Sequence, residues 1–221
     1  MHLQLTADQV LTTTRAVRKR LDLEKPVEPE VIRECIDIAL QGPTGGNTQG
    51  WRFMVIYDAA KRAALAELYR RGWARYKKAP GSVFDLSDRE APGPSRQQFV
   101  RVARSADYLA DNLEKVPVHV IPCIKSRVED AAASSAALAS IYGSIMPATW
   151  SFMLAARDRG LGTCMTTVHL LYEREAAELL GIPYEEVTQV ALIPTAYSIG
   201  TDFKPAQRRA LGEIMYTDSW K

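Results

Sequence analysis

The chain has 221 residues and a formal net charge of +2, with 28 Lys and Arg against 26 Asp and Glu. This length suits one domain around a single core, and so small a net charge gives no overall field of the kind that favours nucleic acid. With 47% hydrophobic and 24% charged residues, the composition excludes a disordered or fibrous chain.

The cysteines and the hydropathy of the chain indicate the environment in which the protein works. Cys35, Cys123 and Cys164 are odd in number and widely spaced, unlike a disulfide framework or a metal site, so we expect reduced core residues and no metal. The first residues lack the pattern of a signal peptide, and no later stretch is long and apolar enough to span a bilayer. We therefore expect a soluble, cytoplasmic protein with no membrane partner.

The N-terminal part is predicted to form two helices. Thr6 to Gln9 is typical of a helix N-cap, and the helix that follows is predicted to present the basic cluster of Arg15, Arg18, Lys19 and Arg20 near its end. Residues 26–41 place apolar side chains at helical spacing, which predicts an amphipathic helix.

A glycine-rich loop over residues 42–50 separates these helices from a strand at Trp51 to Tyr57. A helix from about Ala59 to Arg71 comes next. Residues 72–97 mix Gly, Pro, Ser and charge with aromatic side chains, which predicts a partly mobile excursion that could serve as a lid over a pocket.

The C-terminal half is predicted to alternate helices and strands. A helix over about 97–113 precedes a buried strand over 116–124, whose prolines favour the sheet margin. Residues 131–159 are apolar almost all round, so this helix should be central, with a kink or a break at Pro147.

Two further strands, over 161–168 and 189–196, flank a helix at Glu173 to Leu180 that Gly181 closes. A tail over about 203–221 follows. Four short strands among five or six helices indicate an α+β fold, with no internal repeat.

Two basic pairs could bind an anion. Arg15 and Arg18 lie three apart on the presumed helix and hence on one face, while Arg208 and Arg209 lie near the other end of the chain. Guanidinium groups suit phosphate because they donate two parallel hydrogen bonds. Taken alone, either pair is better explained as a solvated charged surface.

The loop GPTGGNTQGW at 42–51 has features of a ligand-binding turn. Its glycines let backbone approach a ligand closely, and Asn47 and Gln49 offer amide donors and acceptors for the edge of a heterocycle. The alternative is a helix C-cap and turn in which Asn47 tolerates a left-handed backbone and Gln49 is merely exposed.

Four segments together resemble the nitroreductase family. TRAVRKRLD, followed about 25 residues later by GPTGGNTQGWRF, is similar to the family's RRSVRxF and PSxxNxQPW patterns. RGLGTCMTTV at 159–168 and RRALGEI near the C-terminus add two more matches in the family's order. The resemblance spans essentially the whole chain, although residues 72–135 match no motif.

The resemblance implies a nitroreductase-like α+β fold, with a small, mainly antiparallel sheet surrounded by helices in an intertwined homodimer. Residues 1–221 would form one FMN-binding domain, with the lid excursion at about 72–97 and a C-terminal arm at about 203–221.

The family's cofactor residues carry over onto matching positions. The resemblance implies that Arg15 holds the FMN phosphate and that Arg18 lies near the N1 and O2 edge of the flavin ring. The remaining cofactor contacts would come from three segments. The partner subunit would donate the first of them, and the last matches the family's C-terminal phosphate ligands. In chain order the three segments are Pro43, Thr44, Gly45, Asn47 and Gln49; Met165, Thr166 and Thr167; and Arg208 and Arg209.

Four positions depart from the family pattern. Ala16 replaces a serine and so loses a phosphate hydrogen bond, while Arg20 replaces an aromatic residue. Thr44 replaces a serine, and Gly50 replaces a proline, which loosens the loop after Gln49.

The activity implied is an oxidoreductase in which NADPH or NADH passes hydride to flavin N5 and leaves before an electron-poor acceptor, such as a nitroaromatic or a quinone, enters. This is a ping-pong cycle that needs no catalytic side chain. Trp73 and Tyr76 would line the substrate pocket.

Two alternatives remain open. One is a flavoenzyme of the same fold with another substrate, either a reductive dehalogenase or a flavin-modifying enzyme. A dehalogenase would place a Glu, a Tyr and a Lys in its lid, and residues 72–97 contain Tyr76, Lys77, Lys78 and Glu90 in a different order. The other is a non-enzymatic module that binds anions or nucleic acid through the basic N-terminal segment.

Overall fold

The computed structural model describes residues 2–130 and 134–220. Within these ranges the chain forms seven α-helices: α1 (Ala7–Thr13), α2 (Pro29–Ala39), α3 (Ala59–Lys77), α4 (Val83–Arg89), α5 (Pro94–Asn112), α6 (Ser135–Asp158) and α7 (Glu173–Leu180). It also forms five strands: β1 (Trp51–Ile56), β2 (Val118–Ile124), β3 (Leu161–Thr163), β4 (Thr188–Gln189) and β5 (Ile193–Tyr197). Helices surround one small sheet, so the predicted α+β class is confirmed.

The sheet is antiparallel throughout, in the order β1-β2-β5-β3, with β4 also paired to β2. Strand β2 is therefore central, and its predicted position at the sheet margin is wrong. Pro122 is tolerated there because β5 pairs with β2 only up to Val120 and β4 begins opposite Cys123. The missing N–H of Pro122 falls in the gap between them, while its carbonyl accepts from the amide of Val190 at 2.9 Å.

The two faces of the sheet bury separate apolar layers, because alternate residues of a strand point to opposite sides. From β2, Ile121 packs with side chains of α3, α5 and α7. Val118 and Val120 point the other way and pack against α2 and α6, where Phe152 is fully buried. No helix among the described residues could cross a bilayer.

Several predicted boundaries are wrong. The predicted excursion at 72–97 is mostly helical, since it holds the end of α3, the whole of α4 and the start of α5. The strand predicted over 161–168 ends at Thr163, and the one predicted over 189–196 is divided into β4 and β5. Helix α6 continues through Pro147 without a break, and residues 131–133 of its predicted range lie outside the described residues.

Gly72 sets how closely α3 approaches the turn at 168–172. A Cβ added there would lie 2.6 Å from the carbonyl oxygen of Val168, which is backbone and cannot rotate away. We expect Gly72→Ala to destabilise the fold by roughly 1–3 kcal/mol through overpacking, although alanine is the better helix former. Urea unfolding measures the change.

The matched control is Gly143→Ala in α6, where an added Cβ meets nothing within 4 Å. This change should stabilise by about 0.5–1 kcal/mol through helix propensity. Equal effects of the two substitutions would contradict the packing argument.

Two histidines are fully buried between the sheet and the helices. His119 donates from Nε2 to the carbonyl of Leu113 at 2.9 Å, and both ring nitrogens of His169 are without a partner among the described residues. Burial lowers the pKa of His119 to about 4 and that of His169 to about 3, because the charged ring would lose its hydration. Both rings are therefore neutral in the folded protein.

The unfolded chain binds protons at these histidines below pH 6.5, whereas the folded chain does so only near pH 4 and 3. Stability should therefore fall as the pH drops from 6.5, by about 1.4 kcal/mol per pH unit for each histidine. We expect His169→Asn to flatten this slope in urea unfolding between pH 7.5 and 5.0. A slope as steep in His169→Asn as in the wild type would contradict the assignment.

Candidate functional site

The segment after α1 runs beside β3 instead of continuing as a helix, so the prediction that Arg15 and Arg18 share a helical face is wrong. Helix α1 ends at Thr13, and Thr14 is extended. Its last threonines donate to carbonyls four residues back, which competes with further helix. The amide of Val17 then donates to the carbonyl of Thr163 at 2.8 Å, adding this segment to the edge of the sheet.

Arg15 and Arg18 nevertheless line one cavity, of about 380 Å³, which we call the arginine cavity. The segment after α1, helix α5 and the start of the tail form its walls: Arg15, Ala16, Arg18, Gln98, Arg101, Val102, Ser105, Pro205, Ala206 and Gln207. No acidic side chain is among these lining residues. Three guanidinium groups thus face one cavity without a compensating carboxylate, which favours an anionic ligand.

A second cavity, of about 230 Å³, adjoins the first, and both include Arg18 and Val102. We call it the aromatic cavity. It gathers the predicted pocket residues Trp73 and Tyr76 and the predicted cofactor-binding residues 165–167. Seven residues proposed from three distant stretches of sequence therefore line two joined cavities.

The wall formed by α3 is a ladder of aromatic rings fixed by hydrogen bonds. Trp73 stacks on Tyr69 and Tyr76, with ring centroids 6.4 and 5.1 Å away, and its Nε1 donates to Asp107 at 2.8 Å. Tyr69 shares a 3.1 Å hydrogen bond with the Thr166 hydroxyl, and burial raises its pKa to about 12. These rings form a rigid wall, in which the Tyr69 phenol stays protonated at neutral pH.

Arg18 lies at the junction of the two cavities. Its Nη1 donates to the hydroxyl of Ser105 at 3.3 Å, and it lies close to Cys164. Burial raises the pKa of the Cys164 thiol and outweighs the opposing effect of Arg18, so the sulfur stays protonated. The expectation that Cys164 is a reduced core residue, like Cys35 and Cys123, is confirmed.

The glycine-rich loop lies away from both cavities within its own chain. Its Gly45 amide donates to Ser144 of α6 at 3.0 Å, and Gly45 and Gln49 line a separate cavity of about 400 Å³. Asn47 and Gln49 have left-handed backbones, with φ of 53° and 51°, and the side-chain Nε2 of Gln49 donates to Oδ1 of Asn47 at 3.2 Å. Pro43 is exposed and Thr44 half-buried beside them. The loop therefore cannot complete the arginine cavity of its own chain.

The second basic pair does not line the arginine cavity. Arg208 and Arg209 are exposed in the tail, while the residues just before them, 205–207, reach the cavity. Arg15 holds this part of the tail by donating to the carbonyl of Lys204 at 2.9 Å. The structure thus brings the start of the tail to Arg15 but leaves the predicted phosphate ligands of the tail outside.

Several lining residues were not predicted from the sequence. Gln98, Arg101 and Ser105 come from α5, in the stretch that matches no motif. Tyr69 could have been found, because it precedes Trp73 by four residues and so shares its helical face once α3 is known to reach Lys77.

Arg20, which stands where the family has an aromatic residue, anchors the start of the tail. Its Nε donates to the carbonyl of Ile199 at 2.7 Å, it pairs with Asp202 at 2.6 Å, and it stacks over the ring of Phe203. One guanidinium thus fixes the point where the chain leaves the sheet.

We expect Arg20→Met to speed hydrogen–deuterium exchange in residues 199–207 by on the order of tenfold, because two hydrogen bonds from a charged group are lost. Mass spectrometry of peptides from this segment measures the rate. Arg174→Met, which removes an ion pair with Glu185 far from the tail, is the matched control. Equal exchange in both variants would show that Arg20 does not hold the tail.

Known proteins resemble this chain along most of its length. The model of the nitroreductase family matches residues 11–197. YodC of Bacillus subtilis (strain 168), a protein named as an NAD(P)H nitroreductase, is 26% identical over 207 residues, covering 93% of this chain and 95% of YodC.

Solved structures share the fold at lower identity. A variant of the FMN- and NADPH-dependent nitroreductase NfnB from sphigopyxis sp. strain HMH superposes with a TM-score of 0.70 at 19% identity, covering 98% of this chain and 100% of that one. An iodotyrosine deiodinase bound to FMN and 3-iodo-L-tyrosine gives 0.65 at 20% identity, over 95% and 97%. The family model covers most of the sequence, and the chain belongs to the nitroreductase family.

Proposed function

We propose that this protein is an FMN-dependent oxidoreductase that takes electrons from NADPH or NADH and reduces small electron-poor acceptors such as nitroaromatics or quinones. The observation that carries the proposal is the arginine cavity. Arg15, Arg18 and Arg101 face it without a carboxylate, and it joins a cavity with an aromatic wall. Membership of the family and the names of its NAD(P)H-dependent relatives support the same conclusion.

The donor set fits FMN. Arg15 and Arg101 would hold the phosphate, for which the guanidinium fork is suited, and Arg18 would lie at the ring edge where a reduced flavin carries negative charge. Met165, Thr166 and Thr167 would flank the ring from the other cavity. When bound, FMN supplies the redox chemistry, and the protein supplies binding, orientation and electrostatic stabilisation.

We propose a ping-pong order, which the single aromatic wall of the aromatic cavity supports. Tyr69, Trp73 and Tyr76 form one continuous face against which donor or acceptor can lie. Trp73 is fixed by Asp107 and by its neighbouring rings, so the wall is preorganised for one flat molecule at a time. Donor and acceptor would then occupy the same place in turn.

We also propose that the active unit is a homodimer in which the loop residues Pro43, Thr44, Gly45, Asn47 and Gln49 complete the cavity of the partner subunit. Asn47 and Gln49 are exposed, and in their own chain they lie beside α6. The tail adds exposed apolar side chains, including Leu211 at 67% and Trp220 at 82%. Such surface favours burial against a second copy, and it would carry Arg208 and Arg209 toward the partner.

The lid contacts favour this activity over dehalogenation of a tyrosine. Tyr76 and Lys77, which a dehalogenase would need free to grip its substrate, already have partners. The Tyr76 hydroxyl accepts from the amide of Val83 at 3.0 Å, and Lys77 pairs with Asp107 at 2.9 Å.

An absorbance spectrum tests the proposal. The purified protein should be yellow and should be bleached by NADPH or NADH without oxygen. Arg18→Ala and Arg209→Ala should each weaken FMN binding by on the order of tenfold, through the loss of a charge-assisted hydrogen bond. Flavin content after dialysis measures the loss.

Arg33→Ala removes an equal charge from the exposed surface of α2 and should retain FMN. Unchanged flavin content in the Arg18 and Arg209 variants would refute the site. Colourless protein with steeply salt-dependent binding to nucleic acid would refute the function.

A further inference from the structure

A third cavity, of about 430 Å³, lies along α5, and we call it the α5 cavity. Its lining contains three arginines and no acidic residue: Pro92, Gly93, Arg96, Gln97, Val100, Arg101 and Arg104. All three arginines line this cavity together: Arg104 lies on the same side of α5 as Arg101, three residues before it, and as Arg96, eight residues before it. Positive charge is therefore concentrated on one concave surface.

These guanidinium groups are not used by the fold. Among the described residues, no ion pair or side-chain hydrogen bond involves Arg96, Arg101 or Arg104. By contrast, Arg89 of α4 pairs with Asp85, and Arg70 of α3 pairs with Glu114. Three uncompensated arginines on one helix repel each other unless an anion binds between them.

The α5 cavity borders the proposed flavin site. Arg101 lines both the α5 cavity and the arginine cavity, and Val102 lines the arginine and aromatic cavities. From Val102 to Arg96 the helix rises about 9 Å. A ligand that starts in the aromatic cavity and extends along α5 therefore reaches Arg96 and Arg104.

We propose that the α5 cavity binds the ribose 2′-phosphate of NADPH, so that the enzyme prefers NADPH to NADH. This inference rests on the proposed function. A donor with its nicotinamide in the aromatic cavity must extend its adenosine half outward, and the 2′-phosphate is the group by which NADPH differs from NADH. A phosphate monoester carries close to two negative charges at neutral pH and accepts bidentate hydrogen bonds from arginine.

The FMN phosphate does not account for this cluster. Arg15 and Arg18 line the arginine cavity and not the α5 cavity, whereas Arg96 and Arg104 line the α5 cavity and not the arginine cavity. Arg101 lies between the two sets, and Arg96 and Arg104 remain for a second phosphate group. Free inorganic phosphate shares the chemistry of the 2′-phosphate, so the experiment must tell these two sources apart.

The test uses the double variant Arg96→Gln/Arg104→Gln, with Arg33→Gln as the matched control for loss of surface charge. We expect kcat/KM for NADPH to fall by on the order of tenfold or more in the double variant. The values for NADH and the flavin content should stay near those of the wild type. Calorimetry should show that adenosine 2′,5′-bisphosphate binds the wild type more tightly than AMP or inorganic phosphate, and that the double variant loses this preference.

Equal losses for NADPH and NADH, or no loss for either, would overturn the proposal. So would binding of inorganic phosphate as tight as that of the bisphosphate, because the cavity would then be a general anion site. Failure of the proposed function looks different. Colourless protein that binds the bisphosphate through Arg96 and Arg104 would refute the proposed function and support the phosphate site. Yellow protein that NADPH and NADH reduce equally well would support the proposed function and refute the phosphate site.

Discussion

The hydrogen bond from the amide of Val17 to the carbonyl of Thr163 decides where the candidate site forms. It makes the segment after α1 an extra edge of the sheet, next to β3. Gly162 permits this, because a Cβ there would lie 2.8 Å from the Val17 side chain. With Val17 pointing into the core, Arg15 and Arg18 are left to face α5, and the arginine cavity is the space between them. The first cations of the site are therefore positioned by backbone pairing.

Local sequence patterns correctly predict elements with a strong hydrophobic periodicity. They fail where the structure of a segment depends on contacts with residues far away in the sequence. The amphipathic spacing of α2 and the left-handed Gly181 that ends α7 are visible in the sequence alone. The central place of β2 is not, because Pro122 is acceptable only where β4 and β5 leave a gap. The stretch at 72–97 looks irregular in sequence because its prolines, Gly81 and Gly93 stand at or between helix boundaries, as Gly93 and Pro94 do before α5.

The candidate site was predicted where family motifs exist and missed where they do not. Arg15, Arg18 and residues 165–167 carry motifs, and they converge on joined cavities. Arg101 and Ser105 come from a helix without a motif, and only the packing of α5 over the arginine segment brings them there. For Asn47 and Arg209 the single chain cannot test the prediction. Both are proposed to act on a partner subunit, so their contacts within their own chain do not reveal that role.

The contact between Gly72 and the carbonyl of Val168 fixes the width of the aromatic cavity. Helix α3 forms one wall of the cavity, and the turn that follows Thr167 forms the other. The two walls meet at Gly72, which has no side chain, so the backbone of α3 lies directly against the backbone of Val168. Neither wall can move away from the other without opening the core. Evolution of a protein with this framework toward bulkier acceptors would have to proceed by shortening individual side chains such as Tyr76 or Met165, because the scaffold itself allows no gradual widening.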